Sequence, residues 1–131
     1  MSRGQFRFSY FTPYYDATVA FYRDGLELPV VESWDRNPED RGTLFGAASG
    51  LVEVLKRPES GDSSHMWDER HPQGAFMVIE IEDVDRTYRQ VVEKGLPIQQ
   101  ELTMQAWGHR SFCIREPNEL TLYFFSEVQE G

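Results

Sequence analysis

The sequence lacks the features on which several classes of protein depend. It has one cysteine, Cys113, which permits no internal disulfide and is typical of a protein from a reducing compartment. No apolar run approaches the ~20 residues that a bilayer-spanning helix needs. The N-terminal residues also lack the hydrophobic region of a signal peptide. We therefore expect a soluble cytoplasmic protein with no membrane partner.

Cationic side chains are scarce as well. The chain has 13 Lys and Arg against 22 Asp and Glu, a formal net charge of −9 at pH 7. Such a surface repels phosphate backbones, which argues against nucleic-acid binding, and it attracts small cations. The sequence also has no glycine-rich phosphate loop and no motif that pairs a nucleophile with a base. We therefore predict no catalytic residues.

Apolar and aromatic residues, in contrast, are plentiful. Hydrophobic residues make up 40% of the 131 positions, and the aromatic set contains nine Phe, six Tyr and three Trp. This composition excludes a disordered chain. The length suits one compact domain or two very small half-domains.

The same order of predicted elements occurs twice along the chain. Each half predicts a strand, a helix and then three strands. The residues that open the two helices, Pro13 and the capping residue Asp83, are as far apart as the glycines that end them, Gly25 and Gly95. Such a half cannot close a core alone, so we expect two curved sheets to join around a shared cavity. The predicted domain 1–131 comprises a first module at about 1–57, a linker at 58–74 and a second module at about 75–131.

Three local predictions concern the first module. Phe6–Phe11 alternates and predicts a strand that packs Phe6 under the helix. Asp16–Asp24 predicts that helix, with Gly25 as its C-terminal stop. Asp35–Gly42 is rich in charge and predicts a polar turn.

Three stretches together resemble one known superfamily. They are Thr18–Leu26 with its Phe-Tyr pair, Ile81–Asp85 at the entry to the second helix, and Trp107–Phe112 followed by Glu116–Glu119, which is similar to an altered Asp-Pro-Asp-Gly turn. Their order and spacing resemble the vicinal-oxygen-chelate superfamily, which includes glyoxalases, bleomycin-resistance proteins and extradiol dioxygenases. The resemblance implies an α+β fold of two βαβββ modules with curved mixed sheets around a cavity, usually assembled as homodimers.

The same resemblance assigns four positions to a metal site. Metal-dependent members carry His, Glu, a His-like ligand and Glu on the first, fourth, fifth and eighth strands. Here those positions are Arg7, Glu53, Phe76 and Tyr123. Arginine and phenylalanine offer a metal no lone pair, and tyrosine could bind only as a phenolate. We therefore expect no metal and no other cofactor, as in the metal-free, antibiotic-binding branch of bleomycin-resistance proteins.

Strand alternation then predicts which side chains face the cavity. Two tryptophans outside the strands and a histidine near the second of them are predicted to form its wall or rim. The predicted ligand-binding residues are Arg7, Ser9, Phe11, Glu53, Leu55, Trp67, Phe76, Val78, Glu80, Trp107, His109 and Tyr123.

These residues favour a mostly apolar pocket with few charges, typical of small-molecule sites. The leading hypothesis is a metal-independent homodimer that sequesters an aromatic or cationic ligand, such as an antibiotic, for self-resistance. One alternative is a lyase, isomerase or dioxygenase of the same superfamily with displaced metal ligands. Another is a scaffolding dimer whose cavity is plugged by Phe76 and Tyr123, with Arg7 and Glu53 as a structural ion pair.

Overall fold

The fold is that of a computed structural model, which describes residues 4–58 and 73–128. The chain divides into two compact units, Met1–Pro72 and Gln73–Gly131. Within the described residues each unit holds one four-stranded mixed sheet and follows the order βαβββ. The predicted α+β class with two βαβββ modules is therefore confirmed.

The first unit places its first and last strands side by side. The sheet order is β1-β4-β3-β2, with β1 parallel to β4 and the other neighbours antiparallel. A parallel neighbour needs a long crossover, which α1 and the following strands supply. The elements are β1 (Arg7–Thr12), α1 (Tyr15–Ala20), a π-helical turn (Phe21–Gly25), β2 (Val30–Asn37), β3 (Asp40–Ala47) and β4 (Gly50–Lys56).

The second unit repeats this arrangement. Its sheet order is β5-β8-β7-β6, again with one parallel pair between its first and last strands. Asp83 caps the helix by accepting a hydrogen bond from the Arg86 amide at 3.1 Å, which agrees with the predicted helix start. The elements are β5 (Phe76–Glu80), α2 (Val84–Glu93), β6 (Ile98–Met104), β7 (His109–Arg115) and β8 (Thr121–Glu127).

Each helix covers one face of its own sheet. In the first unit the ring of Tyr22 packs against Phe45 on β3, and its hydroxyl lies 2.9 Å from that of Tyr10 on β1. In the second unit Tyr88 of α2 meets Phe112 edge-on, and Phe112 stacks on Phe124. Because side chains alternate along a strand, the residues between these core positions lie on the opposite face.

Two predictions about the start of the chain are corrected. Phe6 precedes β1 and is 74% exposed, so it does not pack under the helix. The predicted helix is α-helical only to Ala20 and continues as a π-helical turn, closed by a hydrogen bond from the Leu26 amide to the Phe21 carbonyl. In this wider turn the neighbours Phe21 and Tyr22 are both buried.

The predicted polar turn at Asp35–Gly42 is wrong in extent. Strand β2 runs to Asn37 and β3 begins at Asp40, so only Pro38 and Glu39 lie between them. Charge pairing stabilises this hairpin where apolar alternation is absent, since Arg36 contacts Asp40 at 2.9 Å and Arg41 contacts Asp35 at 3.6 Å.

A buried glutamate organises the turn between β7 and β8. The carboxylate of Glu116 accepts hydrogen bonds from the Asn118 amide at 2.6 Å, the Asn118 side chain at 2.8 Å and the Leu120 amide at 2.9 Å. Glu119 within this turn has a φ of 67°, the left-handed region that favours glycine. The structure thus explains why the related motif has glycine at the last position.

Replacing Glu119 with glycine should stabilise the protein. Removing the Cβ relieves the left-handed strain, partly offset by the greater freedom of glycine in the unfolded chain, so we expect a gain of about 0.5–1 kcal/mol. Denaturant unfolding measures it. Glu119→Ala is the matched control, because it removes the same carboxylate but keeps the Cβ; an equal gain from alanine would show that charge, and not backbone strain, is responsible.

Among the described residues, no helix reaches the length and hydropathy that a membrane span requires.

Candidate functional site

The face of the first sheet that α1 leaves uncovered carries the predicted site residues of that unit. Pairing between strands places Glu53 between Ser9 and Leu44, and Leu55 beside Phe11. We call this surface the helix-free face of the first unit. It comprises Arg7, Ser9, Phe11, Leu51, Glu53, Leu55, Leu44 and Trp34.

A carboxylate with two donors lies near the centre of this face. Arg7 Nη1 donates to Glu53 Oε2 at 3.1 Å, and Ser9 Oγ donates to Glu53 Oε1 at 2.7 Å. Both oxygens of Glu53 are therefore engaged, and its side chain is only 14% exposed against 46% for Arg7. The outward-facing charge here is positive, although the chain as a whole is acidic.

Trp34 is a residue of this face that the sequence analysis missed. It pairs with Gly42, where an added Cβ would lie 2.7 Å from Cε2 of the indole and 3.0 Å from Cδ2 of Leu55. Glycine thus leaves space for the tryptophan ring over β3. The sequence does contain an indication of this packing, because a tryptophan opposite a glycine on paired strands is typical of it. That indication can be used only when the β2–β3 register is known.

The helix-free face of the second unit carries an aromatic cluster. Trp107 Nε1 donates to the Tyr123 hydroxyl at 3.3 Å, and His109 Nδ1 lies 3.1 Å from the same oxygen. The His109 ring also stacks on Phe125, with centroids 3.9 Å apart. We call Trp107, His109, Tyr123 and Phe125 the aromatic cluster. The structure thus brings together the three predicted site residues Trp107, His109 and Tyr123.

Trp107 remains exposed despite its hydrogen bond. It lies in the turn between β6 and β7, and its side chain is 65% exposed. A hydrogen bond at one end and a free ring face suit an indole for stacking against a flat molecule. The next residue of the turn, Gly108, has a φ of 91°, a conformation that glycine adopts without strain.

Uncharged polar groups lie beside the aromatic cluster. Cys113 pairs with Tyr123 and its thiol contacts the Gln100 side chain at 3.6 Å, while Gln105 donates to Ser111 at 2.9 Å. Burial raises the pKa of the Cys113 thiol, so it stays protonated at neutral pH. This cysteine lies on the helix-free face and not in the core under α2.

The fifth strand contributes an apolar margin to the same face. Phe76 and Val78 are 61% and 54% exposed, and Val78 pairs with Tyr123. Glu80 follows them on this face and pairs with Phe125. Trp67, the remaining predicted site residue, lies outside the described residues.

A groove on the other face of the first unit was also missed. It has a volume of about 320 Å³ and lies between α1 and the β2–β3 hairpin. Its charges pair across it, because Arg41 contacts both Asp16 at 3.5 Å and Asp35 at 3.6 Å and covers the ring of Tyr15.

Comparison with known proteins decides the family. Residues 4–124 match the family model of the Glyoxalase/Bleomycin resistance protein/Dioxygenase superfamily. The chain belongs to this superfamily.

The chain is also similar to individual proteins. YraH of Bacillus subtilis (strain 168) is 30% identical over 106 residues, which cover 77% of this chain and 80% of that protein. TioX from Micromonospora sp. ML1 shares the fold with a TM-score of 0.75 at 14% identity, covering 96% of this chain and 100% of that chain. A superfamily member from Alicyclobacillus acidocaldarius has a TM-score of 0.70 at 16% identity, covering 97% and 93%.

The four positions that the resemblance assigns to metal ligands do not fit a divalent metal. Each oxygen of Glu53 already accepts a hydrogen bond, from Arg7 or from Ser9, and a guanidinium at the neighbouring position repels a cation. In the second unit Phe76 has no donor atom, and the Tyr123 hydroxyl bonds to Trp107 and His109. Across residues 4–58 and 73–128, no three His, Cys, Asp or Glu side chains are grouped as metal ligands.

Proposed function

We propose that this protein is a metal-independent small-molecule binding protein that sequesters an aromatic natural product, such as an antibiotic. The observation that carries the proposal is the aromatic cluster, in which an exposed indole is oriented by a hydrogen bond to Tyr123. The superfamily includes both enzymes and resistance proteins, so membership alone favours neither. The chemistry of the exposed groups supports binding.

Stacking is the interaction that this cluster suits best. Flat rings on a ligand can lie against Trp107, while His109 and Tyr123 hold the indole in place. Apolar Phe76 and Val78 extend the surface on the same sheet. Apolar walls with a few polar groups match the usual composition of small-molecule sites.

The proposal includes two further points about partners. A net charge of −9 attracts a ligand with a cationic group from a distance, so a flat molecule that also carries an amine is a favoured candidate. We also propose the homodimer that the resemblance implies, which light scattering coupled to size-exclusion chromatography would measure.

Metal independence is the third part of the proposal, and it is supported by the donor set described above. Arg7 stands where a metal ligand would be needed, and Glu53 is already paired with it. Affinity for the ligand should therefore be unchanged after dialysis against a chelator.

Titration with flat polycyclic antibiotics tests the function. Isothermal calorimetry with a panel of anthraquinone and enediyne-derived compounds should reveal binding by the wild-type chain. Trp107→Ala should weaken it about tenfold or more, because stacking on an aromatic side chain contributes about 1–3 kcal/mol. Tyr123→Phe should weaken it by a smaller factor, since the indole remains but loses its hydrogen bond.

Phe6→Ala is the matched control for these variants. It removes another exposed aromatic ring, 74% accessible, outside the aromatic cluster and should leave affinity unchanged. The proposal would be wrong if no compound of the panel bound, if Phe6→Ala had the same effect as Trp107→Ala, or if the chain converted a compound to product only when a divalent metal was added.

A further inference from the structure

The helix-free face of the first unit presents one cation whose hydrogen-bonding capacity is mostly unused. A guanidinium has five N–H donors. Within residues 4–58 and 73–128, Arg7 uses one nitrogen, Nη1, in its contact with Glu53, and Nε and Nη2 have no partner. Almost half of the Arg7 side chain is exposed. These donors can therefore bind an acceptor atom of another molecule.

The position of this guanidinium is fixed by its neighbours. Strand β1 holds Arg7 opposite Leu51, two residues before Ser9 in the same parallel ladder. Glu53 accepts from Ser9 at 2.7 Å, which orients the carboxylate that in turn holds Arg7. A planar donor held on one side by a carboxylate loses less conformational entropy when a second acceptor binds to its other side.

The surroundings of Arg7 suit a ligand that is apolar beyond its acceptor group. Leu51 and Leu55 on β4 and Phe11 on β1 share the helix-free face with it, and all three are partly exposed. Next to these side chains a charge-assisted hydrogen bond is less screened than in bulk water. Glu53 is less exposed than Arg7 and both of its oxygens already accept hydrogen bonds, so a ligand on this face contacts the guanidinium more readily than the carboxylate.

We propose that Arg7 is the donor of a subsite for an acceptor oxygen, above all a carboxylate or phenolate, on an aromatic ligand. The inference rests on the proposed binding function and specifies the chemistry of one contact. A cationic group elsewhere on the ligand is compatible with it, because the overall charge acts at long range and Arg7 acts at hydrogen-bonding distance.

Three probes of equal ring size test the subsite: naphthoate, naphthylmethanol and naphthylmethylammonium. Nuclear magnetic resonance titrations measure the affinity of each probe. Shifts of the backbone signals of β1 and β4 show whether a probe binds to the helix-free face of the first unit. Naphthoate should bind about tenfold more tightly than the ammonium probe and shift the signals around Arg7. Arg7→Gln should abolish that preference, and Arg7→Lys should retain only part of it, since lysine keeps the charge but loses the planar fork.

Arg23→Gln is the matched control, because Arg23 is a similarly exposed arginine of the first unit that pairs with Asp24 on the π-helical turn. The subsite is overturned if this control, and not Arg7→Gln, removes the preference. It is also overturned, while the binding function stands, if the probes bind equally and Arg7→Gln changes none of them. Failure of all three probes and of the antibiotic panel would overturn both proposals.

Discussion

Glu116→Ala should destabilise the protein by about 3 kcal/mol. The substitution removes a carboxylate that is only 3% exposed and accepts three hydrogen bonds. The amides of Asn118 and Leu120 and the Asn118 side chain would then lose this buried acceptor. Unsatisfied buried donors are costly, and the turn also fixes the entry to β8. Denaturant unfolding followed by circular dichroism measures the loss.

Glu116→Gln separates acceptor geometry from side-chain volume in this experiment. Glutamine keeps one carbonyl acceptor but points an N–H toward a donor, so we expect an intermediate loss of about 1–2 kcal/mol. Equal stability of the wild type and both variants would contradict the role of Glu116 in the turn.

Phe112→Ala should cost about 3–5 kcal/mol of unfolding free energy. Phe112 is fully buried between β7 and α2, where it stacks on Phe124 with ring centroids 5.3 Å apart and meets Tyr88 at 5.2 Å. Truncation leaves a cavity that these two rings can fill only in part. Phe112→Leu should cost roughly 1 kcal/mol, because it keeps most of the volume.

Phe76→Ala is the control on the opposite face of the same sheet. Phe76 is 61% exposed, so its removal should change stability by less than about 0.5 kcal/mol. A loss at Phe76 as large as that at Phe112 would show that the helix-free face of the second unit is covered in solution.

Much of the fold follows from patterns that act over short distances. Alternation in Phe76–Glu80 assigns Met77 and Ile79 to the core and the other three residues to the opposite face, as the structure shows. Asp83 was predicted as a helix cap because an aspartate before an amphipathic run satisfies the first free amides. The charged end of the β2–β3 hairpin was predicted as part of the turn, because its strand residues have no apolar period and pair instead through exposed charges.

The candidate site was predicted only as a set of separate residues. Strand parity placed Tyr123 on its face, and His109 was predicted at the rim because it lies near Trp107 in the sequence. Their shared hydrogen bond also depends on the β7–β8 register and on the turn that brings Trp107 to the same hydroxyl. Trp34 was overlooked because its indole occupies the space that a Cβ at Gly42 would fill, and Gly42 lies on another strand.

By itself the sequence determined the repeated βαβββ order, the faces of the strands that form the two parallel pairs, and the family, because these depend on local periodicity and on the spacing of short motifs. Only the tertiary structure decided that Glu53 is satisfied by Ser9 and Arg7, which leaves Arg7 as the outward charge. The net charge of the chain determines the electrostatic field far from its surface. Which charge a ligand meets on contact is set by side chains more than forty residues apart that pair across two strands.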